Sequence, residues 1–274
     1  MILISGATGN VGGELLRQLR AEGVAVRALT RDPARAGFPA GVDVAEGDFV
    51  TPQSLAKALS GVEALFLMMS GNEAAVLEEA ARAGVRRIVL LSTMAVETRP
   101  DSFIGKVHQE AESAVEESGL EWTFLRPGQF ASNTRSWAAQ LAAGDVVRTP
   151  YAQVALPAVH SGDIAAVART ALTQDGHAGA AYALTGPAPI TPVEQVAAIG
   201  EAIGRKLRHE EITPERAQEA MAAHMSAEIV AATLEFLGSP TVAETQALPT
   251  VETVTGKPAR TFAEWARDNA DSFR

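Results

Sequence analysis

The chain has 274 residues, of which 47% are hydrophobic and 20% charged, a balance that supports a sizeable buried core and excludes a disordered chain. Its net charge of −10 argues against nucleic acid or an anionic membrane surface as a main partner. The absence of cysteine excludes disulfides, zinc thiolate sites and cysteine nucleophiles, and it fits a reducing compartment.

The first strand, Ile2–Ser5, runs directly into Gly6-Ala-Thr8-Gly9-Asn10-Val11-Gly12, and an amphipathic helix follows from about Val11 to Ala21. In a strand–turn–helix unit, Gly6 can adopt a backbone conformation closed to other residues. Gly9 lets a diphosphate approach the main chain, and Gly12 lets the helix press against the strand. The helix N-terminus then faces an anion with free N–H groups and the positive end of its dipole. A nucleotide cofactor is the expectation. Because the glycine turn begins at residue 6, the apolar N-terminus is expected to be a core strand. No apolar run reaches membrane-spanning length, and a cytoplasmic location is expected.

Short apolar runs and helical stretches then alternate to about Arg126, as in a parallel sheet covered on both faces. The runs are Val24–Thr30, Val42–Glu46, Ala64–Met68, Arg87–Ser92 and Trp122–Leu125. The helices are expected at Pro52–Leu59, Glu73–Ala83 and about Ile104–Glu117. Gly23, Gly61, Gly84 and Gly119 each follow a helix, where a C-terminal glycine cap belongs. The fold class is therefore α/β, a Rossmann-type doubly wound parallel sheet, with a dinucleotide-binding part over residues 1–130.

After Arg126-Pro127-Gly128 the alternation loosens. A helix is expected over Asn133–Ala143, an extended pair around Val146–Thr149 and Val154–Pro157, a helix over Ile164–Thr173 and a last strand at Ala181–Leu184. Pro192–Ile203, Pro214–His224, Ala227–Leu237 and Phe262–Asn269 read as helices. Residues 131–274 are expected to form mainly a smaller, helix-rich substrate lobe over the carboxyl ends of the strands, with about 160–185 returning to the sheet.

At the end of the second strand, Thr30 precedes Arg31. An acidic residue there suits the ribose hydroxyls of NAD, and an arginine suits a 2′-phosphate, so NADP(H) is favoured over NAD(H); the alternative for Arg31 is a solvated side chain. Asp32, before Pro33, is a better turn residue than a ribose ligand. Asp48 can accept a hydrogen bond from an adenine amino group with Phe49 over the ring, or the pair can simply begin a helix at Thr51-Pro52. Met69-Ser70 and Ser92-Thr93 end the fourth and fifth strands, on the edge that faces the nicotinamide half. His160 is expected to make a structural hydrogen bond, and Ser161 and Asp163 to cap a helix. Met221, Met225, Ile229 and Phe236 recur at helical intervals as core or as a pocket lining. No histidine or carboxylate cluster has metal-ligand spacing, and no Gly-x-Ser-x-Gly elbow occurs.

Gly6-Ala-Thr-Gly9-Asn-Val-Gly12, Thr30-Arg31-Asp32-Pro33, Gly47-Asp48, Leu91-Ser92, Leu125-Arg126-Pro127-Gly128 and Phe262-Ala-Glu-Trp265 together resemble the NmrA-like branch of the atypical short-chain dehydrogenase/reductases. Within it they are most similar to the bacterial NAD(P)H-binding proteins that include triphenylmethane reductase and the type-2 quinone oxidoreductase. The resemblance implies a Rossmann-type fold, a cofactor at Gly6–Gly12, Arg31 on the 2′-phosphate, and Pro127, Gly128 and Phe130 along the nicotinamide face. The chain departs from the superfamily pattern at the catalytic tyrosine: Ser102 stands four residues before Lys106, and the two tyrosines are Tyr151 and Tyr182.

That departure has a chemical consequence. Reducing a ketone builds an alkoxide and needs a positioned acid, whereas hydride delivered to a quinone or a delocalised dye yields a stabilised product. An NADPH-dependent reductase of a quinone-like or conjugated small-molecule acceptor is the expectation. Lys106 is the candidate catalytic residue, on the nicotinamide ribose or as a modest proton source, with a surface pair to Glu110 as the alternative. The other functional classes are an NADP(H)-sensing regulator that signals through a protein partner and, more remotely, an epimerase or lyase. The oligomeric state is not legible.

Overall fold

The structure is a computed structural model that describes residues 1–274. Its centre is a seven-stranded parallel sheet of β1 (Ile2–Ile4), β2 (Val26–Thr30), β3 (Asp43–Glu46), β4 (Ala64–Met68), β5 (Arg87–Leu91), β6 (Glu121–Pro127) and β8 (Ala180–Leu184), in the order β3-β2-β1-β4-β5-β6-β8. Successive strands step outward from β1 to β3, and the chain then returns to place β4 on the other side of β1. This reversal opens a crevice at the carboxyl ends of β1 and β4, where open α/β sheets bind ligands.

The strand sequences explain why both faces are covered. Alternate residues of one strand enter different cores. Ile2, Ile4, Phe66, Val89, Leu91 and Leu125 point into one, with Val11, Leu15 and Leu19 of α1 (Asn10–Ala21) and Ile164 and Val167 of α7 (Ser161–Thr173). Leu3, Leu65, Leu67, Ile88, Leu90 and Phe124 point into the other. They meet Leu55 of α2 (Leu55–Ala58), Val76 and Leu77 of α3 (Glu73–Arg82), and Ala111 and Val115 of α5 (Phe103–Glu117). Gly23, Gly61, Gly84 and Gly119 all have positive φ just beyond their helices, as their spacing predicts.

Downstream, the 160–185 stretch does return to the sheet: α7 packs beside α1, and β8 extends the sheet next to β6. A third core of Ala131, Leu141, Val147, Val196, Ile199, Phe262, Trp265 and Phe273 joins α6 (Ala138–Ala143), α8 (Pro192–Ile203) and α13 (Phe262–Asp268). Several expectations fail here. Asn133–Ala143 is not one helix but a 3-10 segment, Ala131–Trp137, followed by α6. β7 (Val146–Thr149) does not pair with Val154–Pro157; it pairs in parallel with β9 (Arg208–Glu211), a polar segment without strand periodicity. Within Val154–Pro157, Leu156 makes an isolated antiparallel bridge to Ile190. The remaining helices are α4 (Ala95–Thr98), α9 (Pro214–Ala222), α10 (Ala227–Gly238), α11 (Val242–Thr245) and α12 (Thr250–Thr255). No helix is long and apolar enough to cross a membrane.

Candidate functional site

The turn between β1 and α1 is built by exclusion of side chains. Gly6 has φ +60°, and a Cβ on it would stand 2.0 Å from the Met68 Sδ. A Cβ on Gly12 would stand 2.3 Å from the Gly6 carbonyl oxygen and 3.1 Å from the Ala7 Cα, so the helix closes on the turn itself rather than on the strand. Backbone is the obstacle there, and it cannot swing aside as a side chain could. Ser5 ties the two strands that border the crevice: its hydroxyl donates to the Phe66 carbonyl (3.0 Å) and accepts from the Met68 N–H (2.8 Å).

Helix α1 begins at Gly9 with no side-chain cap and no acidic residue in its first turn. The main-chain N–H groups of its first turn therefore have neither an intrahelical nor a side-chain acceptor. Thr8, Gly9 and Asn10 are exposed at this end, and Val11 is buried beneath it. A cradle of bare main chain at a helix N-terminus suits a diphosphate.

Around this cradle the strand ends converge. Arg31, just past β2, is exposed and makes no hydrogen bond or ion pair. It lines an open cleft with Lys57, Glu46, Gly47, Asp48 and Ser54. Asp32 accepts from the Ala34 and Arg35 N–H groups, a turn role as its place before proline predicts. Asp48 uses Oδ1 to accept from the Val50 N–H (3.0 Å), and its main chain is tied to Ser54, so it is at least the helix-start turn. Phe49 is half-buried, packing against the core on the α2 and α3 side. At the end of β4, Met69 is exposed, and the Ser70 hydroxyl donates to Glu73 Oε1 (3.0 Å), as does the Gly71 N–H (2.9 Å).

The residues expected on the nicotinamide side hold a network that sequence reasoning missed. Ser92, at the end of β5, is buried and donates to Glu112 Oε1 (2.5 Å). Arg126 on β6 grips the same carboxylate, Nε to Oε1 at 2.9 Å and Nη2 to Oε2 at 2.5 Å, and also pairs with Glu97. Pairing with Glu112 raises the Arg126 pKa above its usual value against the opposing effect of burial. The ends of β5 and β6 are thus locked to α5. Pro127 accepts from the Met94 N–H, Gly128 donates to Leu184, and Phe130 makes a parallel bridge to Val159. His108, one turn before Glu112 on the buried side of α5, is held below the ordinary histidine pKa by burial, opposed by the contact of Nδ1 with the Ile104 carbonyl at 2.9 Å. The only sequence signal for this network was the i,i+4 spacing of His108 and Glu112 on a helix face that meets the sheet.

Lys106 does not join them. It is exposed on the outer side of α5, in a row with Gln109, Ser113 and Glu117, whereas Gly105, Ala111, Glu112 and Val115 form the buried face. Successive helical residues turn by about 100°, and Lys106 falls roughly opposite the sheet-facing side. The catalytic and nicotinamide-side assignments of Lys106 are corrected accordingly. It also makes no ion pair with Glu110. Downstream, His160 caps α7 by accepting from the Gly162 N–H (2.9 Å), Ser161 makes no side-chain hydrogen bond, and Asp163 grips Arg260 (2.8 Å).

Residues 6–175, which span the cradle, the strand ends and the Glu112 network, match a family model described as NAD(P)H-binding. The chain belongs to this NAD(P)H-binding family. Among relatives of this NAD(P)H-binding protein, the (4-alkanoyl-5-oxo-2,5-dihydrofuran-3-yl)methyl phosphate reductase of Streptomyces griseus is 42% identical over 281 residues, covering 100% of this chain and 99% of that one. The NAD(P)H azoreductase of Xenophilus azovorans is 36% identical over 285 residues, covering 100% and 99%. The NADPH-dependent quinone oxidoreductase of Escherichia coli superposes with a TM-score of 0.80 at 26% identity, over 98% of this chain and 99% of that one. The Citrobacter sp. triphenylmethane reductase, solved with NADP(H), has the same fold: TM-score 0.80, 24% identity, 98% of this chain and 100% of that one. The Rossmann-type fold and the resemblance to NAD(P)H-binding reductases read from the sequence are borne out.

Proposed function

We propose that this protein is an NADPH-dependent reductase that passes hydride to a conjugated, quinone-like small molecule, with residues 1–130 mainly holding the cofactor and 131–274 mainly enclosing the acceptor. The observation that carries the cofactor half is a glycine-rich helix N-terminus at Gly6–Gly12, uncapped by any side chain, with an unpaired arginine at the end of β2. The main chain of Gly6, Thr8, Gly9, Asn10, Val11 and Gly12 would hold the diphosphate, and Arg31 the 2′-phosphate. Asp48 keeps Oδ2 free for an adenine amino group beside Phe49, and Met69, Ser70, Ser92, Pro127, Gly128 and Phe130 would line the crevice toward the nicotinamide. When bound there, NADPH supplies a hydride equivalent.

What the chain does not offer at that end of the crevice narrows the acceptor. The Ser92 hydroxyl is spent on Glu112, and the Glu112 carboxylate is gripped by Arg126. His108 is half-buried, and burial pushes its pKa below the ordinary histidine value, against its charged, proton-donating form. With no free acid among these groups, an alkoxide product would go unprotonated, whereas a delocalised anion can take its proton from solvent. The relatives named above fit this chemistry: their names specify an unsaturated lactone, an azo group and a quinone, all conjugated. The protein's part is to position the acceptor and exclude water. A cytoplasmic setting suits the reading.

The test is stopped-flow mixing of the NADPH-loaded protein with a panel of quinones, azo dyes and unsaturated lactones. NADPH absorbance is expected to decay at a protein-dependent rate with at least one class. Tight NADPH binding with no acceleration across the panel would replace the enzyme reading with that of a cofactor sensor.

A further inference from the structure

The link between α4 and α5 is rigid for reasons visible in its sequence. Ser102 caps α5 by accepting from the Gly105 N–H (3.0 Å), and its hydroxyl donates to the Arg99 carbonyl (2.8 Å). A Cβ on Gly105 would stand 2.2 Å from that same carbonyl oxygen, so the first turn of α5 rests directly on Arg99. Pro100 follows and fixes the next φ.

From this platform the Arg99 side chain, only 10% exposed, reaches the far lobe. Nε donates to Glu244 Oε1 (2.8 Å), Nη2 to Glu244 Oε2 (2.9 Å) and the Ser239 carbonyl (2.6 Å), and Nη1 to Glu235 Oε1 (2.8 Å). The Glu244 side chain is 1% exposed. It also accepts from the Thr98 hydroxyl (2.7 Å) and from the Thr241 N–H (2.7 Å) that begins α11. Each oxygen thus has two donors, which is how a carboxylate tolerates such burial.

What this pair holds has few fully buried residues of its own. In the hairpin of α9 and α10, Ala217 and Val230 are the buried helix residues, and Met225 between the helices is 45% exposed. The other close constraint is at the same end of α10. The Tyr151 ring lies against Gly238, where a Cβ would stand 2.4 Å from Cζ, and Tyr151 is the one non-glycine residue with positive φ (57°). Such a conformation is strained for a non-glycine residue and persists only where its surroundings enforce it. The end of α10 is therefore gripped from two sides, while its body, mostly half-buried, rests on α9 and α5.

The grip lies beside the reacting end of the crevice. Met94, at the start of α4, donates its N–H to Pro127 (3.0 Å), and its Sδ lies 3.7 Å from where a Cβ on Gly128 would be. Arg99 is one short helix, about 6 Å of rise, further on. We propose that Arg99 and Glu244 are positioning residues for the acceptor: they seat the α9–α10 hairpin as the wall that closes the acceptor side of the crevice. They act through the hairpin and touch neither cofactor nor acceptor. The acceptor role rests on the reductase reading above; the anchoring does not.

The experiment compares wild type with Arg99→Lys, which keeps charge but loses the fork, and Glu244→Gln. Three quantities are measured: KM and kcat with 1,4-naphthoquinone, NADPH Kd by fluorescence, and amide hydrogen exchange across residues 214–238. The expected result is a KM raised at least tenfold, kcat within threefold, NADPH Kd within twofold, and hairpin exchange accelerated about tenfold while β1–β6 stay protected. A KM that does not move in folded variants overturns the positioning role, and so does a parallel loss of NADPH affinity and β1–β6 protection, the mark of a general staple. If either variant fails to fold, Glu235→Gln removes one exposed leg of the fan and should at least double hairpin exchange; no change overturns the proposal. If wild type reduces no quinone, the reductase reading fails for this acceptor and the positioning role falls with it, while exchange, which needs no acceptor, still decides the anchoring.

Discussion

Replacing Arg126 by methionine removes a guanidinium from a side-chain environment only 14% exposed and leaves Glu112, 6% exposed, with a single hydroxyl for company. A buried charge stripped of its partner destabilises by about 3–5 kcal/mol, and for a chain of this size that lowers Tm by roughly 6–20 °C. The contact with Glu97, itself 59% exposed, contributes less than about 1 kcal/mol, so Glu97→Gln serves as a control that should barely move Tm. The double variant Arg126→Met, Glu112→Gln removes both charges while keeping an acceptor for Ser92, and it should recover most of the loss. Urea melts of the four proteins of this cycle, read by circular dichroism, give the coupling free energy, expected at 2 kcal/mol or more if the pair acts as a unit. Additive single-variant losses would refute the claim that the ends of β5 and β6 are locked through one shared carboxylate.

Two further outcomes follow from the same geometry. Gly12→Ala drives a Cβ into the Gly6 carbonyl, which should cost about 1–3 kcal/mol of stability and weaken NADPH binding in titration calorimetry at least tenfold; normal affinity would mean the cradle tolerates the shift. His108, His160 and His209 are all held below the ordinary histidine pKa, first by burial. The unfolded chain therefore binds protons that the native one refuses, so stability falls as pH drops through about 6.5, and His108→Leu should flatten the Tm profile between pH 7.5 and 5.5. A Tm that rises on acidification over that range would contradict those directions.

The sheet was legible because parallel strands buried on both faces write continuous apolar runs, and because Gly23, Gly61, Gly84 and Gly119 mark helix ends by a steric rule local to the chain. The glycine turn was legible for the same reason, since Gly6 answers to its own positive φ and Gly12 to main chain within a few residues. What escaped were partnerships across distance. β9 is a polar strand that exists because β7 offers it an edge, and nothing in Arg208-His-Glu-Glu211 announces it. Arg126 read as part of a family motif, yet its partner Glu112 lies on another element, and Arg99 meets Glu244 across 145 residues of chain. Lys106 was misread because spacing from Ser102 was taken as a guide to its direction, whereas the burial of Gly105, Ala111 and Val115 sets which side of α5 faces the sheet. At the start of α7, Ser161 and Asp163 are typical capping residues by type, but the His160 imidazole takes the cap and leaves Asp163 to Arg260.

The account stands on a dinucleotide phosphate at Arg31. Titration calorimetry of NADPH and NADH against wild type and Arg31→Ala tests it most directly. The variant should lose about 1.5–3 kcal/mol of NADPH binding, the worth of a hydrogen bond to a charged group, and bind NADH almost as before. Equal losses for the two cofactors, or none for either, would contradict the placement.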